Sequence, residues 1–259
     1  MSLLHDAFAR AKSENRAALI AYLPAGYPTE DGAVECIAAM VEGGVDIVEI
    51  GFPYSDPVMD GPTIQDAVNI SLEGGTKSAT VINTVKRVAE LGVPALVMSY
   101  WNPIERYGLD TFASDFHAAG GIGVITPDLT PEEAEDWILA TNSNDVDRVF
   151  LVALSSSDER IAKVANATTG FIYAGAVMGV TGARTSISDA IEGLVAKVRR
   201  HSDLPVAVGL GVSTPEQAHE IAQYADGVIV GSAFVTAIKK DGAAGAKALA
   251  QALSKGLAR

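Results

Sequence analysis

A strand-then-helix rhythm runs through the chain from end to end, and nothing else in the sequence narrows its folding options so sharply. Short apolar or β-branched runs recur at "AALIAYL" (17–23), "VDIVEI" (45–50), "PALVMSY" (94–100) and "GIGVIT" (121–126). Four more follow at "RVFLVAL" (148–154), "GFIYAG" (170–175), "PVAVGL" (205–210) and "DGVIVG" (226–231). After each comes a polar or Gly-rich turn and then a segment of helical period. Val34, Ile37, Ala38 and Val41 mark one helix stripe, and Leu249, Leu253 and Leu257 mark the last. Thr130-Pro131-Glu132-Glu133 and Thr214-Pro215-Glu216-Gln217 each read as a helix start, with a cap, a first-turn proline and a third-position partner. Eight such units in 259 residues predict an α/β fold, a (β/α)8 TIM barrel occupying 1–259 as a single domain. An extra helix precedes the first strand, with Leu4, Phe8 and Ala11 on one face. A doubly wound open sheet is the alternative; the even spacing, without linker or composition break, favours the barrel.

Composition excludes several classes. A net charge of −13 leaves no basic stripe for a nucleic acid. No apolar run reaches the roughly 18–20 residues of a membrane span, and the mixed charge of "MSLLHDAFARAKSENR" does not suit a signal peptide. The lone cysteine, Cys36, rules out an internal disulfide and fits a reducing cytoplasm.

In a (β/α)8 barrel the site lies at the C-terminal ends of the strands. There "VEIGFPYSDPVMDGPTIQ" (48–65) holds an anomaly: Glu49 sits where a core strand would take valine or isoleucine, and Asp60 follows in a Pro- and Gly-rich loop. A glutamate in a partly desolvated barrel mouth has its pKa pushed up, each unit being worth about 1.4 kcal/mol, which suits a group that gives and takes a proton. Asp60, expected to have more access to water beside Asp56, should ionise more readily and act as acceptor or base. The plain alternative for Glu49 is a buried structural carboxylate bonded to a neighbouring loop. Three later loops, "GVTGAR" (179–184), "GLGVS" (209–213) and "VGSAF" (230–234), bring backbone N–H groups and a helix start at Gly231-Ser232 to where this fold commonly holds phosphate. Ordinary turn glycines are the alternative. No lysine lies at a strand end, which disfavours a Schiff base, and the histidines lack ligand spacing, which disfavours a metal. Tyr22, Tyr100 and Tyr173 each fall near a strand end, as core, rim or the walls of a flat aromatic substrate.

"VEIGFPYSDPVMDGPTIQ", together with "AYLPAGYP", "SYWNPIERYG", "GVTGAR" and "GLGVS" in that order, resembles the tryptophan synthase alpha subunit family over nearly the whole chain. The resemblance implies retro-aldol cleavage of indole-3-glycerol phosphate to indole and glyceraldehyde 3-phosphate, without metal, Schiff base or a cofactor in this chain. It implies Glu49 as the acid/base at the ring carbon bearing the side chain and Asp60 as acceptor from the indole nitrogen. Tyr173 would lie beside the reacting centre, Tyr22 and Tyr100 would wall the indole, and Thr181 would close its loop onto Asp60. Gly182, Gly211, Gly231 and Ser232 would hold the phosphate. The loop carrying Pro53, Asp56 and Pro57, with the apolar Phe52, Tyr54, Val58 and Met59, would dock on a pyridoxal-phosphate-dependent beta subunit in an alpha2beta2 tetramer. Two departures stand out: Ala176 and Val177 replace an expected polar, serine-containing run, and Tyr22 stands where the family commonly has phenylalanine. Rival readings are another phosphate-binding isomerase or epimerase, an indole-glycerol phosphate synthase (which would want a strand-end lysine), a catalytically weak allosteric partner, and a stand-alone lyase releasing free indole.

Overall fold

The rhythm folds into nine short parallel strands in one sheet, in a computed structural model that describes residues 3–175 and 184–259. The strands are β1 (Ala18–Pro24), β2 (Ile47–Gly51), β3 (Ala95–Met98), β4 (Gly123–Ile125), β5 (Asp147–Val149), β6 (Leu151–Ala153), β7 (Ile172–Gly175), β8 (Val206–Gly209) and β9 (Gly227–Val230). Pairing runs β5-β4-β3-β2-β1-β9-β8-β7-β6. The two ends of that order are consecutive in the chain, separated only by Phe150, so the sheet curls into a nearly closed barrel. The run expected as one strand at 148–154 is thus two. Barrel strands tilt, so neighbours are staggered: residues 147–149 pair only with β4 and residues 151–153 only with β7.

Helices surround the strands: α1 (Leu3–Ser13), α2 (Glu30–Glu42), α3 (Pro62–Glu73), α4 (Ser78–Ala89), α5 (Trp101–Tyr107) and α6 (Leu109–Ala118) in the first half. The second half has α7 (Glu135–Ser143), α8 (Asp158–Ala167), α9 (Arg184–Val198), α10 (Pro215–Ala222) and α11 (Ser232–Gly256). At Thr214 the expected cap forms, its hydroxyl accepting from Gln217 N, with Pro215 opening α10. At Thr130 it does not. Pro131–Glu133 is a 3-10 turn, the Thr130 hydroxyl donates instead to the Glu133 carboxylate at 2.8 Å, and α7 begins only at Glu135. The side chain that should bond the backbone is captured by its neighbour, so the first turn lacks its cap.

Two apolar layers result. Outside the barrel, residues such as Val48, Val97, Val124 and Val208 pack against the inner helix stripes, including Ile37 and Met40 of α2 and Leu253 of α11. Inside it, Ile20, Ile47, Leu96, Ile125, Val149, Ala207 and Ile229 meet in one cluster. Leu4, Ala7, Phe8 and Ala11 of α1 join that inner cluster, with Phe8 and Phe171 ring centroids 5.6 Å apart. The extra N-terminal helix therefore plugs the barrel at the strands' N-terminal ends and leaves the C-terminal mouth open to function.

Candidate active site

Two acidic residues three positions apart meet opposite fates on the same stretch. Asp46, just before β2 at the plugged end, accepts from Arg16 Nη1 at 2.6 Å, Arg16 Nη2 at 2.8 Å, Arg10 Nη2 at 3.3 Å and Leu19 N at 2.9 Å. Glu49 lies toward the mouth end of β2, its Cα paired with those of Tyr22 and Leu96. It is fully buried, and among the described residues neither carboxylate oxygen has a hydrogen-bond partner. Burial alone pushes its pKa up to about 8. A structural carboxylate looks like Asp46. Among the described residues Glu49 has nothing to hold, so the reading of it as a carboxylate bonded to a neighbouring loop finds no partner among them.

Around Glu49 the barrel interior changes from aliphatic to phenolic. Tyr22 and Tyr173 point inward, Tyr22 beside Glu49 and Tyr173 across the barrel on β7. Each phenol stays neutral, held well above its usual pKa first by desolvation and then by the carboxylates' charges. Each needs a glycine opposite. A Cβ on Gly51 would overlap the Tyr22 hydroxyl, and one on Gly209 would overlap the Tyr173 hydroxyl. Sequence reading singled out Gly211 and passed over these two. Their signal was available: a glycine on the inward phase at the end of a strand.

Asp60 is drawn further in than expected. Instead of standing in water it is half-buried, and desolvation raises its pKa while the neighbouring Tyr100 hydroxyl pulls it down. The cause is tertiary. Tyr100, just beyond β3 and buried, accepts from Met59 N at 2.9 Å, and its ring packs on Tyr54 with centroids 5.6 Å apart. Tyr54 in turn accepts from Asn102 Nδ2 at 3.1 Å, and the Gln65 side chain donates to Asp60 O at 2.8 Å. Asp128, also missed from sequence, accepts from Trp101 N at 2.9 Å and so fixes the backbone next to Tyr100. Among the described residues no group of three or more His, Cys, Asp or Glu is placed to hold a metal ion.

The family model described as tryptophan synthase alpha chain matches residues 8–257. The chain belongs to the tryptophan synthase alpha chain family. It is 54 % identical over 256 residues to the tryptophan synthase alpha chain of Nocardia farcinica, covering 99 % of this chain and 96 % of that one. It is similar to tryptophan synthase of Mycobacterium tuberculosis in a solved structure, at 50 % identity, 99 % and 98 % coverage and a TM-score of 0.94. At 30 % identity it still matches the alpha subunit of Legionella pneumophila over 99 % of this chain and 98 % of that one, with a TM-score of 0.90. The chain is accordingly a carbon–carbon lyase of tryptophan biosynthesis that cleaves indole-3-glycerol phosphate, on a TIM barrel.

Of the other residues expected in a tryptophan synthase alpha chain site, Gly211, Gly231 and Ser232 follow the strand ends at the same mouth. Gly231 caps α11 and Ser232 opens it, both partly exposed, so first-turn N–H groups at the end of β9 are available to an anion. A Cβ on Gly231 would come within 3.3 Å of the Tyr22 ring. Gly211 has φ +63° and is exposed, a conformation in which a side chain strains the backbone even though a Cβ would meet nothing within 4 Å. Thr181 and Gly182, and the Ala176–Val177 departure, lie outside the described residues. In the loop after β2, Pro53 is buried, Pro57 partly exposed and Asp56 exposed, while Val58 is 79 % exposed. An open cleft of about 540 Å³ lies against this loop, lined by residues including Phe52, Asp56, Asn102 and Arg106.

Proposed function

We propose that Glu49 and Asp60 carry the cleavage of indole-3-glycerol phosphate as an acid/base pair on either side of the indole ring. The observation that supports this most directly is the buried Glu49, without a hydrogen-bond partner among the described residues, protonated at neutral pH and sharing a mouth with a second carboxylate. Glu49 delivers its proton to the ring carbon bearing the side chain, while Asp60 accepts the hydrogen bond of the indole N–H and stabilises the positive charge that develops there. The adjacent side-chain hydroxyl then loses its proton, its C–O bond becomes the aldehyde carbonyl, and the carbon–carbon bonding pair returns to the ring. Glu49, now a carboxylate, takes back one proton, so the cycle closes with no net change in the protein. Groups fixed in place make these steps possible without a covalent intermediate.

In this reading Tyr173 lies beside the reacting centre, Tyr22 and Tyr100 wall the indole, and Thr181 closes its loop onto Asp60. The phosphate is held by Gly182, Gly211, Gly231 and Ser232, mainly through backbone N–H groups. The whole chain, 1–259, acts as one barrel domain in the cytoplasm. Membership of the family implies a beta-subunit partner. The finer proposal is an alpha2beta2 tetramer in which pyridoxal phosphate belongs to the beta subunit and Pro53, Asp56 and Pro57 form part of the contact. Exposed Val58 and Met59 favour that loop as the docking element. Docking that orders Asp60 by about 2–3 kcal/mol would raise the lyase rate roughly 30- to 150-fold.

The test is single-turnover indole release from indole-3-glycerol phosphate, with wild type and Asp60→Asn, each with and without the beta subunit. Expected are slow cleavage by the isolated chain, marked activation by the partner, and a loss of at least about a hundredfold in Asp60→Asn in both states. An Asp60→Asn protein within about tenfold of wild type would remove Asp60 from the mechanism. Full activity without partner would instead favour the stand-alone lyase.

A further inference from the structure

Tyr100 occupies a position that calls for a small polar side chain. It immediately precedes α5, with φ −60° and ψ 157°, where Ser, Thr, Asp or Asn would turn back and accept from first-turn N–H groups. A phenol is too long for that, and Tyr100 makes no such bond among the described residues. Its ring runs into the mouth instead, buried, the hydroxyl accepting from Met59 N at 2.9 Å and bonding the Asp60 carboxylate. An acceptor for the first turn of α5 comes from another loop. Asp128, 27 residues beyond Trp101 and just past β4, accepts from Trp101 N at 2.9 Å. The same strand holds Tyr100 from its other side, since Ser99 N donates to Ile125 O, at the end of β4, at 3.0 Å. The Tyr100 backbone is thus bracketed by two hydrogen bonds from β4 and its loop, one to a backbone carbonyl and one to a side chain.

We propose that Asp128 is a positioning residue for Asp60, acting through Tyr100: its carboxylate holds the start of α5 and so sets where the Tyr100 hydroxyl meets Met59 and Asp60. The inference rests on the reading of Asp60 as acceptor for the indole nitrogen. The strands β2, β3 and β4 are neighbours in the sheet, and the loops that leave them are joined in a line: Asp128 to Trp101, Tyr100 to Met59 and Asp60. Asp128 itself is exposed, so it contributes this hydrogen bond rather than apolar burial. Without it Trp101 N turns to water, and the start of α5 is left to the Trp101 ring, which meets Trp137 of α7 with centroids 5.9 Å apart in an edge contact. A swing about that contact carries the phenol with it, because Tyr100 and Trp101 share a peptide bond. Small displacements matter at the far end, where a catalytic group misplaced by about 1 Å costs on the order of a hundredfold.

Single-turnover indole release tests this on the full chain, with and without the beta subunit. Asp128→Ala should lower the rate about tenfold in both states, with KM within about twofold of wild type. Asp128→Asn keeps an acceptor oxygen and should retain at least about a third of the wild-type rate. In a Tyr100→Phe background the alanine change should cost less than about twofold, because the hydroxyl it places has already gone. A merely structural role would instead multiply its loss in either background. A wild-type rate in Asp128→Ala, an equal loss in Asp128→Asn, or a tenfold loss that persists in Tyr100→Phe would overturn the proposal. So would a loss seen only with the beta subunit, which would assign Asp128 to the partner contact. Asp128→Leu, similar in size and without an acceptor, takes the place of the alanine variant if that one does not fold. Failure of both to fold would make Asp128 a determinant of the fold and overturn the proposal equally. Asp60→Asn keeps the two readings apart: if it remains active, the reading of Asp60 fails. If it is inactive while Asp128→Ala matches wild type, only the role of Asp128 fails.

Discussion

Replacing Glu49 with glutamine should make the protein more stable as it makes it inactive. In the unfolded chain a glutamate ionises near 4.5; in the native barrel Glu49 keeps its proton up to about 8, because burial is not offset by any hydrogen bond from the described residues. A carboxylate whose native pKa is raised favours the native state only while both forms are protonated. As pH climbs above 4.5 the unfolded chain loses a proton that the native chain retains, and stability falls by about 1.4 kcal/mol per pH unit until about pH 8, where the native group also ionises. At pH 7 the accumulated loss is roughly 3 kcal/mol. Glutamine is isosteric and cannot ionise in either state, so Glu49→Gln escapes that loss. Urea denaturation of both proteins from pH 4.5 to 8 measures it: the curves should nearly coincide at the acid end and diverge toward about 3 kcal/mol in favour of the variant at pH 7. Single-turnover indole release from the same preparations should fall by several orders of magnitude, since an amide cannot shuttle the proton. A stability difference that does not grow with pH would refute the argument that Glu49 is neutral because it is buried alone. Activity within about tenfold of wild type would refute its role in the chemistry.

Gly209→Ala should push the Tyr173 ring out of place, because the new Cβ would overlap the phenol hydroxyl and come 2.9 Å from its ring. A loss of at least about tenfold in kcat with a Tm change of only a few degrees is the expected pattern, and unchanged kcat would show that Tyr173 can shift freely. Asp46→Ala should do the reverse. It strands Arg16 and Leu19 N at the plugged end and should cost about 3 kcal/mol or more in urea denaturation, with kcat at permissive temperature within about twofold of wild type.

Much of this molecule is legible before any coordinates. Apolar runs such as "PVAVGL" and "DGVIVG", alternating with amphipathic segments, leave few ways to bury their surface, and the eightfold repetition points to a closed parallel barrel. That architecture assigns chemistry to one end of the strands. A glutamate at a strand's mouth end and an aspartate in the loop beyond it then become candidates by position alone. The helix start at Ser232 and the phase of Tyr22 and Tyr173 are readable for the same reason: they depend on periodicity, which is local.

What the sequence could not decide concerns groups that meet only after folding. Asp46 and Glu49 are near neighbours in one run, yet among the described residues three donors, Arg10, Arg16 and Leu19 N, converge on the first and none on the second. The ionisation of each is set by what the rest of the chain brings to it. Asp60 is pulled toward the mouth by Tyr100, forty residues away, which is why a loop that reads as solvent-facing holds its carboxylate half-buried. Gly51 and Gly209 look like ordinary turn residues until Tyr22 and Tyr173 are seen to occupy the space they leave. Thr130 carries every mark of a helix cap and bonds Glu133 instead. Periodicity fixes which face of an element is buried, because that depends on neighbours in the chain. Charge state, partner and free volume depend on distances across the barrel, and only the tertiary structure sets those.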